Sequence, residues 1–364
     1  MRAMPKPSKR RALGAVIAGV LAGAPAWTAG APAHHRPGGF QNNHLEFTPK
    51  TVADLLRWRL DAWRAGLPAV AQTAVPTHAP DLGFLHANAK AGAAMEPAVT
   101  WIGHATVLAQ FDGINLLTDP VFSERASPLS WLGPRRAQPP ALPIADLPRI
   151  DVVLISHNHY DHLDEASVKA LAAQPGGPPL FVVPLGLKAW LADAGIEHAV
   201  ELDWWQGHRV GALDIVLTPA QHWSGRGLHD RMQTLWGGFA VFAPRFHLFW
   251  AGDTGYSPDF EDIRRRFAER QRDGGFDIAL LPVGAYEPRW FMASQHVNPA
   301  EAVQIHRDLG AKRSLGVHWG TFQLTDESLD TPPAELAAAR RAQGVADDAF
   351  FVLPVGGTRV LPRR

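Results

Sequence analysis

Residues 151–162 read Asp151-Val152-Val153-Leu154-Ile155-Ser156-His157-Asn158-His159-Tyr160-Asp161-His162. The β-branched and apolar run from Val152 reads as a buried strand. Directly behind it, His157, His159, Asp161 and His162 form an H-x-H-x-D-H cluster. A strand that stops there delivers three imidazoles and a carboxylate to one point at a sheet edge. Neutral imidazole and carboxylate suit zinc, with iron and manganese as alternatives. So many donors on so short a loop crowd a single tetrahedral ion. His157 and His159 therefore read as ligands of one ion, and Asp161 and His162 as ligands of a neighbour. Two adjacent ions imply hydrolysis by a bridging hydroxide. An isolated histidine is most often structural, and the chain has 17. His34, His35, His44, His78, His86, His198, His208, His229, His247 and His306 are read that way. The density of the cluster sets it apart.

Three more donors follow at predicted strand ends. His222 stands in Thr218-Pro219-Ala220-Gln221-His222-Trp223, Asp253 in Ala251-Gly252-Asp253-Thr254-Gly255-Tyr256, and His318 in Gly316-Val317-His318-Trp319-Gly320. Taken in order they complete a two-metal set. His157, His159 and His222 hold the first ion; Asp161, His162 and His318 hold the second; Asp253 bridges them. Each ion keeps room for a shared water, as catalytic metals require.

Composition bounds the rest. The 364 residues are 46% apolar, enough for a sizeable core. Lysine plus arginine equals aspartate plus glutamate, at 35 each, which argues against a nucleic-acid partner. The chain has no cysteine, so disulfides, thiolate zinc sites and a cysteine nucleophile are excluded. Residues 1–33 read as an export signal: Arg2, Lys6, Lys9, Arg10 and Arg11 precede an apolar stretch. Ala24-Pro25-Ala26 and Ala31-Pro32-Ala33 both resemble cleavage sites. The stretch is short for an anchor, and Arg10-Arg11 is a twin-arginine cue. The expectation is an exported protein, periplasmic or peripherally membrane-associated. Residues 34–43 read as a linker, and 44–364 as one metallo-hydrolase domain with an N-terminal extension over 44–98.

In that extension, 51–65 reads as a helix with Val52, Leu55, Leu56, Trp58, Leu60 and Trp63 near helical spacing, and 67–98 as irregular. From 99 onward strands and helices alternate. Strands are expected over 99–109, 114–118, 151–155, 180–183, 198–203, 214–218, 236–243, 247–250, 276–283, 314–318, 350–353 and 358–361. Helices are expected over 165–173, 185–194, 258–272, 298–310 and 332–343.

The order of donors resembles the metallo-β-lactamase superfamily, whose fold is an αβ/βα four-layer sandwich. Longer stretches are similar to one family within it, the N-acylphosphatidylethanolamine-hydrolysing phospholipases D. They include Trp101-Ile102-Gly103-His104-Ala105-Thr106, Leu117-Thr118-Asp119-Pro120, Gly284-Ala285-Tyr286-Glu287-Pro288-Arg289-Trp290-Phe291-Met292 and Gln295-His296-Val297. The resemblance implies two zinc ions on the positions just named, and a phospholipid substrate at a membrane surface. It implies cleavage to phosphatidate and an N-acylethanolamine, with Asp253 and Asp161 catalytic. Tyr160 and His296 match substrate-binding positions, and Gln295 is their neighbour. His104 and Asp119 are candidates to orient ligands. Arg289 reads either as a phosphate partner or as half of a salt bridge. Trp131, Leu132, Trp58, Trp63, Trp290 and Phe291 are candidates for a lipid approach. The alternatives are a lactonase or small-molecule phosphodiesterase on the same fold, and a non-catalytic membrane- or metal-binding module. A homodimer is open.

Overall fold

The strand that ends at the metal cluster has neighbours on every side. The computed structural model describes residues 32–364 except residue 273. The chain begins with a hairpin, β1 (His35–Arg36) and β2 (Gly39–Phe40), and continues through α1 (Val52–Ala65) and α2 (Leu82–Lys90). A first set of elements follows: β3 (Ala98–Gly103), β4 (Thr106–Phe111), β5 (Ile114–Thr118), β6 (Val152–Leu154), α3 (Glu165–Ala172), β7 (Leu180–Pro184), α4 (Leu187–Asp193) and β8 (Ala199–Leu202). The second set opens with β9 (Gly207–Val210), β10 (Leu213–Thr218), β11 (Gly238–Phe242), β12 (His247–Trp250), α5 (Asp259–Arg266) and β13 (Ile278–Pro282). It closes with α6 (Arg289–Met292), α7 (Pro299–Leu309), β14 (Ser314–Val317), α8 (Thr331–Gln343) and β15 (Phe350–Phe351), before the last strand β16 (Thr358–Val360).

These strands form two seven-stranded sheets, ordered β16-β3-β4-β5-β6-β7-β8 and β15-β14-β13-β12-β11-β10-β9. Alternation along β6 shows how the layers stack. Val152 and Leu154 join the large core shared with the second sheet, including Leu217, Phe249 and Leu281. Val153 and Ile155 point the other way, onto Leu85 of α2, Val168 and Leu171 of α3, and Leu187 and Leu191 of α4. On the far side, Phe260 and Ile263 of α5, Val303 and Leu309 of α7 and Leu336 of α8 close over the second sheet. The result is helix, sheet, sheet, helix: the expected αβ/βα four-layer sandwich. Central strands buried on both faces read as continuous apolar runs, which is why they were legible.

Local chemistry fixes the helix ends. Asn298 caps α7 in a capping box with Glu301, Pro299 occupies its first turn, and Gly310 ends it in the left-handed region. Thr51 and Asp54 form the same box on α1.

Several expectations are corrected. The segment 34–43 is not a linker: it folds into the β1–β2 hairpin, and Ala33–Arg364 form one compact unit that includes it. Residues 67–98 are not wholly irregular, because Asp81 caps α2 and Leu85 is buried. The 99–109 run is two strands, broken where His104 takes a left-handed φ of 53°. The polar strand β9, Gly207-His208-Arg209-Val210, is an edge strand that lacks the alternation by which strands are recognised. The export-signal segment 1–33 lies outside the described residues apart from its last two positions.

Candidate metal centre

Parallel pairing sends several strand ends to one edge. β6 lies parallel to β5 and β7, and β13 lies parallel to β12 and β14. The residues after β6, β10, β12 and β14 carry His157 to His162, His222, Asp253 and His318. The two sheets approach closely here. Gly252 has a φ of +64°, and a Cβ on it would lie 2.8 Å from the Ser156 Cβ and 2.9 Å from the Gly237 carbonyl oxygen. Glycine is the one residue that fits between the Asp253 loop and the histidine loop.

The structure brings together all the donors read as ligands. One trio is His157, His159 and His222, whose donor atoms lie within 4.8 Å of one another. His157 Nε2 is 2.8 Å from His159 Nδ1, which is 3.3 Å from His222 Nε2. A second group is Asp161, His162 and His318, with His104 beside them. Asp161 Oδ2 lies 3.5 Å from His162 Nε2 and 3.3 Å from His318 Nε2. Asp253 stands between the groups. Its Oδ2 is 3.0 Å from His162 Nε2 and 3.3 Å from His318 Nε2 on one side, and 3.9 Å from His222 Nε2 and 4.0 Å from His157 Nε2 on the other.

The donor set fits divalent cations by a test independent of spacing. Both Asp253 oxygens and His162 Nε2 are buried without a hydrogen-bond partner. The close Nε2–Oδ2 approach is therefore not aligned as a hydrogen bond. Buried polar atoms are ordinarily paired, and unpaired ones facing one point mark an ion's place. The outward-facing nitrogens of His157, His162 and His222, by contrast, are satisfied. His162 Nδ1 donates to Asp119 Oδ2 at 2.7 Å and His222 Nδ1 to the Gln295 carbonyl at 2.8 Å. His157 Nδ1 meets Ser156 Oγ at 2.9 Å, and that hydroxyl donates to Asp119 Oδ2 at 2.6 Å. Each bond fixes its ring through Nδ1 and turns Nε2 toward the centre, where it becomes a donor to a cation once the ring is neutral.

Charge follows the same geometry. Burial, and then the neighbouring imidazoles, hold His157 and His159 well below the usual histidine range. Burial takes His222 down to about 4. Neutral rings are what a cation needs as ligands. Burial opposes charge on His162 and His318 too. Asp253 and Asp161 nonetheless hold His162 well above the usual range and His318 up at about 9. Burial would likewise raise the two carboxyls, but His162 foremost keeps both well below theirs. The centre therefore attracts positive charge from whatever source.

Asp119 anchors the arrangement. It accepts from Ser156 N at 2.7 Å as well as from Ser156 Oγ and His162. Burial pushes its carboxyl up against the pull of His162 and Ser156. Asp119→Asn keeps the shape but offers His162 an amide. Metal affinity should fall roughly 10–100-fold, read by zinc titration against a chromophoric chelator; an unchanged affinity would remove Asp119 from the site. His104 has a comparable place: its Nε2 is 3.0 Å from Asp161 Oδ2 and its ring packs 4.0 Å from that of His318.

The substrate-contact candidates are distributed differently. His296 is buried at the centre, with Nδ1 3.9 Å from Asp253 Oδ2 and no partner. Gln295 contributes its carbonyl to His222, while its amide turns to Met292 Sδ. The Tyr160 hydroxyl donates to the Arg226 carbonyl, and its ring lies 3.9 Å from the Arg226 guanidinium. Both line a groove of about 650 Å³ with Trp190 and Lys169. Arg289 forms a salt bridge with Glu301 at 2.7 Å and donates to the His296 carbonyl at 2.9 Å, so it supports His296 instead of meeting phosphate. Sequence reasoning missed Arg226, which donates to the carbonyls of Asn158 and Leu163 at 2.9 and 2.7 Å and so brackets the histidine loop. It also missed Asn42, whose amide is bonded to the His222 backbone. No sequence pattern ties these residues to the cluster.

A family model described as the beta-lactamase superfamily domain matches residues 114–319, a span that holds every one of these candidate ligands. The chain belongs to the metallo-β-lactamase superfamily and is a metal-dependent hydrolase. Within that class it is 40% identical over 265 residues to N-acyl-phosphatidylethanolamine-hydrolyzing phospholipase D 1 of Caenorhabditis elegans, covering 70% of this chain and 72% of that protein. An uncharacterized protein of Mycobacterium tuberculosis is 39% identical over 334 residues, 90% of this chain and 84% of the relative. In fold the chain resembles an isothiocyanate hydrolase from Delia radicum gut bacteria, with a TM-score of 0.56 and 22% identity over 72% of this chain and 98% of that one.

Proposed function

We propose that the protein hydrolyses the phosphodiester of N-acylphosphatidylethanolamine, releasing phosphatidate and an N-acylethanolamine, with two zinc ions as its cofactors. The observation that carries this reading is the pairing of the two donor groups across Asp253, in a chain 40% identical to an enzyme of that printed activity. An all-nitrogen-and-oxygen donor set without cysteine supports zinc at a hydrolytic site. Zinc, when bound to His157, His159 and His222 and to Asp161, His162 and His318, supplies Lewis acidity and a lowered water pKa.

The chain's own groups do the remainder. The Asp253 carboxylate, inside the ring of imidazoles, orients the attacking water and takes up its proton as the bond to phosphorus forms. It passes that proton to the departing N-acylethanolamine oxygen as the P–O bond breaks. His296, buried and unpartnered at Nδ1, is placed to hydrogen-bond a phosphoryl oxygen. Asp161 is held in position by the His104 ring.

Lipid reaches the centre along α1. Trp58 of that helix packs on Phe291 at 4.7 Å, and α6 leads directly to Gln295 and His296. The opposite face of α1 exposes Val52 (74%), Leu56, Leu60 and Trp63 (76%), with Trp290 beside it and Arg57 over the Trp290 ring. Apolar side chains interleaved with Arg57, Arg59 and Arg64 suit an anionic membrane surface. Trp131 and Leu132 are exposed as well, whereas Trp58 and Phe291 are core to this contact. Among the described residues no helix is long and apolar enough to cross a membrane.

The test is mass spectrometry of products from vesicles containing N-acylphosphatidylethanolamine, run in ¹⁸O-water. Phosphatidate carrying the label on phosphorus, together with unlabelled N-acylethanolamine, is the expected result. An inert chain that instead opens a lactone, or cleaves only small soluble phosphodiesters, would replace this substrate with the smaller one.

A further inference from the structure

We infer that residues 34–47 are a working part of the metal centre: a strap in which Asn42 positions His222, so that the ion held by His157, His159 and His222 depends on it. The inference rests on the two-ion reading above.

The contacts are specific. Asn42 is buried, and its side-chain amide grips both polar groups of the His222 backbone. Its Oδ1 accepts from His222 N at 3.1 Å and its Nδ2 donates to His222 O at 3.0 Å. The same Oδ1 accepts from Trp236 Nε1 at 3.2 Å. The pairing imitates a neighbouring strand. It fixes His222 from the backbone side while Gln295 fixes the ring. Two further contacts run parallel: Gln221 Nε2 donates to the Leu45 carbonyl at 3.1 Å, and Phe47 stacks on Trp223, which packs on His159 at 4.3 Å. Thus the strap touches the surroundings of His222 and His159. Among the described residues no hydrogen bond joins it to Asp161, His162 or His318.

The strap is seated at its far end. His34 Nε2 and His35 Nε2 meet the two oxygens of Asp203 at 2.6 and 2.7 Å, and His34 stacks on Trp204. These three residues could be taken for a cation site, yet their facing atoms are all hydrogen-bonded, so they form a clasp. Phe40 N donates to Met232 O at 2.8 Å, and a Cβ on Gly39 would lie 2.0 Å from that oxygen. Only glycine allows so close an approach.

Without the Asn42 amide, the fully buried His222 backbone loses partners for its N–H and its carbonyl. Leaving buried polar groups unpaired is costly, and a backbone that shifts to find new partners carries its imidazole off the ion. Aspartate lacks the donor for His222 O and alanine lacks both groups, so neither substitutes for the amide.

The test is zinc binding to the full chain and its variants, by competitive titration and by counting metal per chain, with near-ultraviolet circular dichroism to follow the fold. Wild type is expected to hold two ions. Asn42→Ala and Asn42→Asp should lose one, or bind it roughly 10–100-fold more weakly, with the other affinity unchanged and the spectrum native. Both affinities as in wild type would overturn the inference, as would equal loss of both. Should the Asn42 variants fail to fold, Asp203→Asn loosens the strap at the clasp and must weaken the same single ion; a folded Asp203→Asn with two unaltered affinities is equally fatal. A wild type that holds only one ion contradicts the two-ion reading by itself. The strap then stands if Asn42→Ala loses that ion and falls if it does not.

Discussion

Asp253→Asn is expected to lower turnover by roughly 10²–10⁴-fold, the range for loss of a positioned acid–base group, with the fold retained. The carboxylate lies within 4.0 Å of donor atoms from both halves of the centre, reaching His162 and His318 on one side and His222 and His157 on the other. Both its oxygens are buried and unpaired. An amide keeps the volume but removes the negative charge, and it offers a neighbouring imidazole a second donor where an acceptor stood. On the proposed reaction the loss should fall on kcat more than on KM, because Asp253 would act on the attacking water and not on the lipid's chains. Metal content should drop as well. Near-equal kcat with both ions in place would take Asp253 out of the reaction.

Removing metal should have the other large effect. Chelation is expected to abolish activity and lower the melting temperature, and zinc should restore both. A ligand bound only by the folded state at 1,000 times its Kd stabilises by about 4 kcal/mol. The pH dependence has a defined sign. Against the effect of burial, Asp253 and Asp161 keep His162 and His318 protonated, the latter to about pH 9. A cation must displace those protons, so uptake releases acid and affinity strengthens as pH rises toward 9. Isothermal titration in buffers of differing ionisation enthalpy measures the release. Uptake without proton release would contradict the assigned charge state.

The candidate ligand cluster was legible because its donors sit together on a short loop or follow apolar strands, and because the strands alternate between the two cores. Val152 to Ile155 show this most plainly: successive residues serve opposite layers, yet all are apolar, so the strand reads without its neighbours. The capping box of α7 was equally local. What could not be read depends on distant pairs or on backbone conformation. Asn42 and His222 are 180 positions apart, and an asparagine in a glycine- and histidine-rich stretch looks like any linker residue. The break between β3 and β4 depends on the left-handed φ of His104, in a run whose apolar pattern continues across it. Arg289 has a charge that suits phosphate or carboxylate alike; only the position of Glu301 decides between them.

Anomalous diffraction at the zinc edge, from crystals of the zinc-loaded protein, tests the metal centre most directly. Two peaks are expected, one among His157, His159 and His222 and one among Asp161, His162 and His318, with Asp253 between them. A single peak at the His34–His35–Asp203 clasp, or none near Asp253, would contradict it.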